Sequence, residues 1–196
     1  MPTSFPAYLC FMKQNDGLKE AINGLKNGEI LLSPTDTFYS LICDARNKET
    51  VNKLLQLFPI QEADILISND RMINQCFKDI PGIAWDMIDL SDQPLTLVLE
   101  AAQYVAPSLI KDQKLGIRKV SHQPIKNLLE RLGRPLASVA LSLAEEPPPF
   151  EASMLSDQHL EIADLNFSLK EHDKMSGKYA KKIFIAQNGE VKILRN

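Results

Sequence analysis

The residues best suited to chemistry early in the chain lie in the stretch LLSPTDTFYSLICD, residues 31–44. Thr35, Asp36, Thr37 and Tyr39 supply three hydroxyls and a carboxylate directly after an apolar run that predicts a buried strand. Such groups at a strand end can bind a ligand at the mouth of a pocket. The same Pro-Thr-Asp-Thr run can equally form a turn in which Asp36 or a threonine accepts hydrogen bonds from backbone amides. The residues alone leave both interpretations open.

Cysteine and histidine spacing argues against a metal centre. None of the three cysteines and three histidines stands at metal-ligand spacing, and no CxxC pair occurs: Cys10, Cys43, Cys76, His122, His159 and His172. We therefore expect no bound metal. Three widely separated cysteines also favour reduced, buried thiols and a cytoplasmic location.

Length and composition predict one soluble globular domain over residues 1–196, with 44% hydrophobic and 24% charged residues. No apolar run reaches the roughly 18 residues that a membrane-spanning helix needs, so we expect no membrane partner. The N-terminal residues lack the basic leader of a signal peptide, and we expect none.

The charge distribution is more informative than the net charge of −3. Residues 111–135 and 170–195 each contain seven basic side chains, whereas residues 136–169 contain no lysine or arginine. Such segregation can create a local positive field within an acidic protein. The alternative is a set of separate, solvated faces that never converge.

Hydrophobic periodicity predicts alternating helices and strands. Helices are predicted at 15–26, at 48–58, after a cap at Asn69 or Asp70, at 124–132 and at 156–163. Strands are predicted at 28–34, 63–68, 94–101, 115–120 and 136–141, followed by a stiff Pro-rich loop near 145–150 and a C-terminal β-hairpin at about 182–195. The predicted fold class is α/β of the mixed α+β type, a single mixed sheet flanked by helices.

Five segments, in order, resemble the YrdC/YciO family: ILLSPTDTFYSLICD (30–44), TVNKLLQL (50–57), QPLTLVL (93–99), LGIRKVSHQPIKNLLERLGRPLASVAL (115–141) and GEVKILRN (189–196). The family's best-understood members are threonylcarbamoyl-AMP synthases, which combine threonine, bicarbonate and ATP at the start of a tRNA modification. Others were first described as double-stranded RNA-binding or translation-factor proteins. The resemblance implies a twisted mixed sheet with a concave face.

The resemblance also implies a set of ligand-binding candidates: Thr35, Thr37, Tyr39, Arg118, His122, Ser138 and Ser142. The first three match the motif on the threonine-binding side, and the arginine matches a strand residue suited to a phosphate or carboxylate. Each has a structural alternative. Arg118 can sit in a cross-strand ion pair, His122 can precede a helix, and Ser138 can be a satisfied core hydroxyl.

The sequence departs from the family pattern where the chemistry needs charge. Phe58 and Ile60 stand where the family has a lysine and an arginine, and Ala140 and Ser142 replace its Ser-x-Asn pair. Neither an aromatic nor an aliphatic side chain can offset the charge of a triphosphate. The retained half of the site therefore suits an uncharged or weakly charged ligand end better than a triphosphate.

Three hypotheses follow. The first is a divergent member that binds a nucleotide, RNA or another small ligand, with no assigned catalytic residue and no certain cofactor. The second is an active synthase with a rearranged site, which requires ATP and magnesium and draws its missing charge from a C-terminal lysine: Lys178, Lys181 or Lys182. The third is a non-catalytic module that binds a protein partner through an apolar groove formed by Phe58, Pro59 and Ile60. The sequence makes no prediction about oligomeric state.

Overall fold

The computed structural model describes residues 14–143, 146–169 and 175–196. The N-terminal stretch that bears on a signal peptide lies outside these ranges, as do Cys10 and His172.

Six helices and nine strands are seen in the described ranges. The helices are α1 (Gln14–Asn27), α2 (Lys48–Leu57), α3 (Asp70–Ile73), α4 (Gly82–Asp89), α5 (Gln123–Leu132) and α6 (Asp157–Glu161). The strands are β1 (Leu31–Pro34), β2 (Tyr39–Asp44), β3 (Asp64–Ile67), β4 (Leu95–Glu100), β5 (Lys114–Lys119), β6 (Leu136–Ala140), β7 (Leu165–Asn166), β8 (Lys181–Ile185) and β9 (Val191–Arg195).

All nine strands form one mixed sheet in the order β7-β1-β2-β6-β3-β5-β4-β8-β9. The pairs β1–β7, β3–β5 and β4–β8 are parallel, and the other neighbouring pairs are antiparallel. The predicted fold class, a single mixed α/β domain, is confirmed. The central strands are almost completely buried because helices cover them.

The helices pack through the apolar stripes that the sequence predicts. In α5, Ile125, Leu128, Leu129 and Leu132 are buried, and the helix contacts α1. Helix α5 ends at Gly133, whose φ of 70° is the left-handed conformation that favours glycine at a helix C-terminus. Helix α2 contacts β2, and α4 contacts β4. The helices thereby hold the sheet in a defined shape.

Three elements were not predicted. Strand β2 is buried along its whole length, so it lacks the alternation that marks a half-exposed strand. Helix α4, GIAWDMID, has only eight residues, so its exposed face with Asp86 and Asp89 is too short for a helical period to stand out in the sequence. Strand β7 has only two residues, and it forms by parallel pairing with β1 at the edge of the sheet.

Cys43 and Cys76 are buried and unpaired. Burial raises the pKa of each thiol to about 12, because the charged thiolate is disfavoured away from water. The expectation of buried thiols is confirmed for these two residues.

None of the described helices is both long and apolar enough to cross a bilayer.

Candidate functional site: a charged cavity on the sheet

The turn between β1 and β2, residues 35–38, is shaped by Thr35. Its amide donates to the carbonyl of Phe38 at 3.1 Å, and its hydroxyl donates to the same carbonyl at 2.9 Å. The hydroxyl also accepts from the amide of Thr37 at 3.3 Å. Thr35 is fully buried, so it stabilises the turn from inside the protein.

The next two residues of this turn hold an arginine from the middle of the sheet. Arg118 of β5 donates through Nη1 to the carboxylate of Asp36 and, at 3.1 Å, to the hydroxyl of Thr37. All three residues are buried. The Nε of Arg118 has no hydrogen-bond partner among the described residues. The ion pair therefore ties the turn to β5 and leaves part of the guanidinium unsatisfied.

Strand register brings further charged groups beside Arg118. Thr96 of β4 stands opposite Arg118 on one side and Lys182 of β8 on the other, and Lys182 stands opposite Arg195 of β9. Residues directly opposite one another across a sheet project from the same face. Three cations separated by up to 77 positions in the chain thus share one row across four strands.

A second row brings a carboxylate to the same face. Asp64 of β3 stands opposite Ser138 of β6 and opposite Gly116 of β5. Gly116 lies two residues before Arg118, so both positions face the same side. A Cβ at Gly116 would lie 2.9 Å from Asp64 Oδ1 and 3.2 Å from Thr96 Cγ2. The glycine therefore leaves room for the Asp64 carboxylate, which accepts from the Thr96 hydroxyl at 2.9 Å.

These rows form the floor of a cavity of about 270 Å³, called here the charged cavity. It is lined by residues from the turn, six strands and the segments before β3 and β8: Thr37, Phe38, Ser40, Gln61, Glu62, Asp64, Arg118, Ser138, Ala140, Tyr179, Ala180, Lys182 and Arg195. Cations and carboxylates are both present, so the cavity can hold a ligand that carries charge of either sign.

Lys182 and Glu62 form an ion pair at this cavity. The lysine side chain is only 13% exposed, whereas the glutamate side chain is 59% exposed. The hydrogen bond from Lys182, followed by its charge, lowers the pKa of Glu62, so Glu62 is ionised at neutral pH.

Two aromatic rings complete the cavity near β9. Phe38 and Tyr179 lie with ring centroids 4.8 Å apart, and the guanidinium of Arg195 lies 5.0 Å from the Tyr179 centroid. Arg195 also donates through Nε to the carbonyl of Ala180 at 2.9 Å. These contacts orient Arg195 without an acidic partner among the described residues.

The predicted ligand-binding residues divide into two groups. Thr37, Arg118 and Ser138 line the charged cavity. The others lie outside its lining: Thr35 inside the turn, Tyr39 in the core, His122 at the N-cap position of α5, and Ser142 in the loop after β6, where its hydroxyl donates to the Glu146 carbonyl at 2.6 Å.

The structure contradicts the idea that Phe58 and Ile60 form an apolar wall. Phe58 is buried in the core beside the apolar face of α2, and Ile60 is 94% exposed. Neither residue lines the charged cavity, nor does Pro59. The side chains that reach it from this segment belong to Gln61 and Glu62, because the turn after α2 directs Ile60 outward. Ala140 does line the cavity.

Several residues at the cavity escaped sequence reasoning. Glu62, Asp64 and Arg195 are absent from the predicted site, and Asp36 is absent from the ligand-binding candidates that the family resemblance implies. Lys182 is predicted only as one of three alternative lysines that supply charge, and the structure leaves Lys178 and Lys181 exposed outside the lining. An aspartate at the start of the apolar run DILI was a usable signal, since an acid beside a buried strand needs a partner.

The cavity is equipped for binding more clearly than for acid–base chemistry. No described histidine or cysteine lines it, so its titratable side chains are the carboxylates Glu62 and Asp64, the phenol of Tyr179 and the three cations. In the described part of the chain, no group of three or more histidine, cysteine or acidic side chains is arranged to hold a metal ion.

Comparison with known proteins gives a consistent result. The family model Sua5_yciO_yrdC, described as telomere recombination, matches residues 23–196. The threonylcarbamoyl-AMP synthase of Photobacterium profundum is 28% identical over 144 residues, covering 68% of this chain and 76% of that protein.

Solved structures show the same fold. E. coli YciO superposes with a TM-score of 0.80 at 18% identity, covering 95% of this chain and 91% of that one. P. abyssi Sua5 complexed with L-threonine superposes with a TM-score of 0.75 at 20% identity, covering 89% of this chain. The present chain spans about half the length of the P. abyssi protein, 52%.

Proposed function

The chain belongs to the Sua5–YciO–YrdC family, and we propose that it is a divergent member that binds one small ligand without catalysing threonylcarbamoyl-AMP synthesis. The ligand carries a single anionic group, as an amino acid or a nucleoside monophosphate does. The observation that carries this proposal is the charged cavity, where Arg118, Lys182 and Arg195 converge beside Glu62 and Asp64.

The charge balance at the cavity supports a weakly charged ligand. The three cations are accompanied by three carboxylates: Asp36 binds Arg118, Glu62 binds Lys182, and Asp64 lies on β3 beside the strand that carries Arg118. The formal sum of these six charges is zero. A triphosphate needs fixed cations in clear excess, usually with magnesium, to offset its charge. One carboxylate or phosphate needs far less compensation.

The size of the cavity supports the same conclusion. A volume of about 270 Å³ lies slightly below the usual range for small-molecule sites, about 300–1,000 Å³. Synthase chemistry must hold threonine, bicarbonate and ATP together. A cavity of this size suits one of these molecules, or a fragment of one, better than all three.

The comparisons guide the choice of ligand. The curated relatives are named threonylcarbamoyl-AMP synthases, a name that contains both a threonine-derived group and AMP. One structural neighbour is complexed with L-threonine. An α-amino acid presents a carboxylate for Arg195 or Lys182 and an ammonium for Asp64. A nucleoside monophosphate presents a phosphate for the same cations and a base that can stack on Tyr179.

Calorimetric titration with L-threonine, AMP and ATP tests the proposal. We expect binding of L-threonine or AMP, weaker binding of ATP, and no L-threonine-dependent pyrophosphate release from ATP, bicarbonate and magnesium. Arg195→Gln should weaken binding about tenfold because it removes a cation at the cavity. Lys192→Gln, an exposed position on the same strand, is the matched control and should bind like the wild type. Failure of all three ligands to bind would overturn the proposal.

An active synthase with a rearranged site is the second candidate. The observation in its favour is that Lys182 and Arg195 line the cavity and bring positive charge that Phe58 and Ile60 do not supply. ATP and magnesium would then be required. Pyrophosphate release that depends on L-threonine and falls in Arg195→Gln would establish this candidate and replace the first.

RNA binding remains a prediction from the family resemblance. In the basic segment 111–135, Arg118 is buried against Asp36, Lys119 contacts Asp70 and Asp89, and Arg134 contacts Asp44. These pairs reduce the free positive charge that non-specific RNA binding needs. Titration with a short RNA duplex at two salt concentrations is the test, and tight binding that weakens steeply with salt would support an RNA partner.

A further inference from the structure

The ion pair between Lys182 and Glu62 is unequal in a way that bears on ligand selection. Lys182 belongs to β8, where the register fixes it between Thr96 and Arg195. Glu62 belongs to the irregular segment between α2 and β3. Lys182 is 13% exposed and Glu62 is 59% exposed. The sheet therefore holds Lys182 inside the cavity, whereas Glu62 reaches Lys182 from the solvent-exposed side.

Separating this pair has different consequences for the two residues. An exposed carboxylate regains water when it leaves its partner, so release costs Glu62 little. A largely buried ammonium that loses its partner is left without hydrogen bonds, which is unfavourable. Lys182 therefore keeps Glu62 until another anion takes its place.

The cavity offers such an anion a path to Lys182. Both Lys182 and Glu62 line it, together with Arg195 on the neighbouring strand. A carboxylate or phosphate that enters can accept from Lys182 and contact Arg195, while Glu62 turns into solvent. The arrangement thus allows the anionic group of a ligand to replace the Glu62 carboxylate on the Lys182 ammonium.

We propose that Glu62 is an internal counter-ion of the cavity, which the anionic group of the ligand replaces on Lys182, and that Glu62 thereby determines which ligands bind. This inference rests on the proposed function, because it concerns the same cavity. A ligand must outcompete Glu62 for Lys182, so every anionic ligand binds more weakly than it would without the glutamate.

The displaced carboxylate remains near the cavity and repels further negative charge. Ligands with several charges are therefore disfavoured more than ligands with one. Glu62 is thus a specificity-determining residue that favours a single carboxylate or phosphate over a polyphosphate.

The test compares Glu62→Gln with Asp89→Asn. Asp89 is also a partly exposed partner of a lysine, Lys119, with 53% and 32% side-chain exposure for the two residues, but the pair does not line the cavity. We expect Glu62→Gln to tighten binding of L-threonine or AMP about five- to tenfold and binding of ATP by a larger factor. Asp89→Asn should leave all three affinities unchanged. Thermal unfolding of both variants checks that they fold.

The outcomes separate this inference from the proposed function. If the wild type binds L-threonine or AMP and Glu62→Gln binds with equal or lower affinity, Glu62 is not a competing counter-ion and the inference is wrong, while the proposed function stands. An equal gain for AMP and ATP would overturn the selection against polyphosphates. If neither protein binds any of the three ligands, the proposed function fails and this inference fails with it.

Discussion

Asp36 and Arg118 form a buried ion pair between residues far apart in sequence, at side-chain exposures of 5% and 4%. Such a pair seldom adds much net stability, because removing two charges from water offsets most of their attraction. Its effect is geometric. The pair fixes the turn after β1 to β5 near the C-terminal end of that strand, and Thr37 adds a second contact to the same guanidinium. Arg118 therefore holds one orientation at the wall of the cavity.

Gly116 lies beside the cavity floor, and replacing it with alanine tests how tightly the side chains there are packed. In Gly116→Ala the new Cβ would stand 2.9 Å from Asp64 Oδ1 and 3.2 Å from Thr96 Cγ2, so the carboxylate or the strand must move. We expect a loss of about 1–3 kcal/mol in the free energy of unfolding, measured by urea denaturation.

The control for this prediction is Gly82→Ala at the start of α4, where a Cβ meets nothing within 4 Å. That variant should be neutral or slightly stabilising, because alanine favours helix. Equal stability of the two variants would show that the space beside Asp64 is not tightly filled.

At the scale of elements, hydrogen bonds join the C-terminal end of α1 to the N-terminal end of α2, although β1 and β2 lie between these helices in the chain. Asn47 caps α2 by accepting from the amide of Thr50 at 3.1 Å, and the Thr50 hydroxyl donates to the carbonyl of Gly28 at 3.0 Å. Gly28 follows α1 with a φ of 82°. The end of one helix is thereby bound to the start of the next. Helix α2 in turn leads into the segment that carries Glu62.

Asn47→Ala should lower the free energy of unfolding by about 1 kcal/mol, because the amide of Thr50 loses its acceptor. The matched control is Asn52→Ala, an exposed position within the same helix, where we expect a change within about 0.5 kcal/mol. Urea denaturation of both variants is the measurement. If the two variants unfold at the same urea concentration, the cap makes no contribution.

At the scale of the whole molecule, the core holds two thiols that link stability to alkaline pH. Burial raises the pKa of Cys43 and Cys76 from 9.0 to about 12. Above pH 9 the unfolded chain releases these protons while the folded protein keeps them. The unfolded state then binds fewer protons, so stability falls as pH rises. Below pH 9 the contribution of the thiols is fully present.

Each thiol should lower the free energy of unfolding by about 1.4 kcal/mol per pH unit within the window from 9 to about 12. Urea denaturation between pH 8 and 11 measures the slope, and the double variant Cys43→Ala/Cys76→Ala is the comparison. The variant is less stable at pH 8 because small cavities form, yet its slope should be flatter. Equal slopes would contradict a role for the buried thiols.

Much of the fold was readable from local pattern. The stripes of α2 and α5, the alternation of helices and strands, and the Asn188-Gly189 hairpin all appear where the sequence predicts them. These signals are local because helix periodicity, caps and turns depend on residues a few positions apart. Strand β2 and helix α4 were not predicted, because continuous burial removes the alternation of a strand and eight residues are too few to show a helical period.

The sequence by itself determined the fold class and the family, because spaced apolar residues and short motifs survive as linear pattern. Through the family motifs it also named Thr37, Arg118 and Ser138, which line the charged cavity, and their role in ligand binding stays a prediction. Only the tertiary structure decided that Asp36 binds Arg118, that Phe58 turns inward and Ile60 outward, and that Lys182 and Arg195 join Asp64 at one cavity. Those relations depend on cross-strand register and on the path of one loop, and neither is written in the order of residues along the chain.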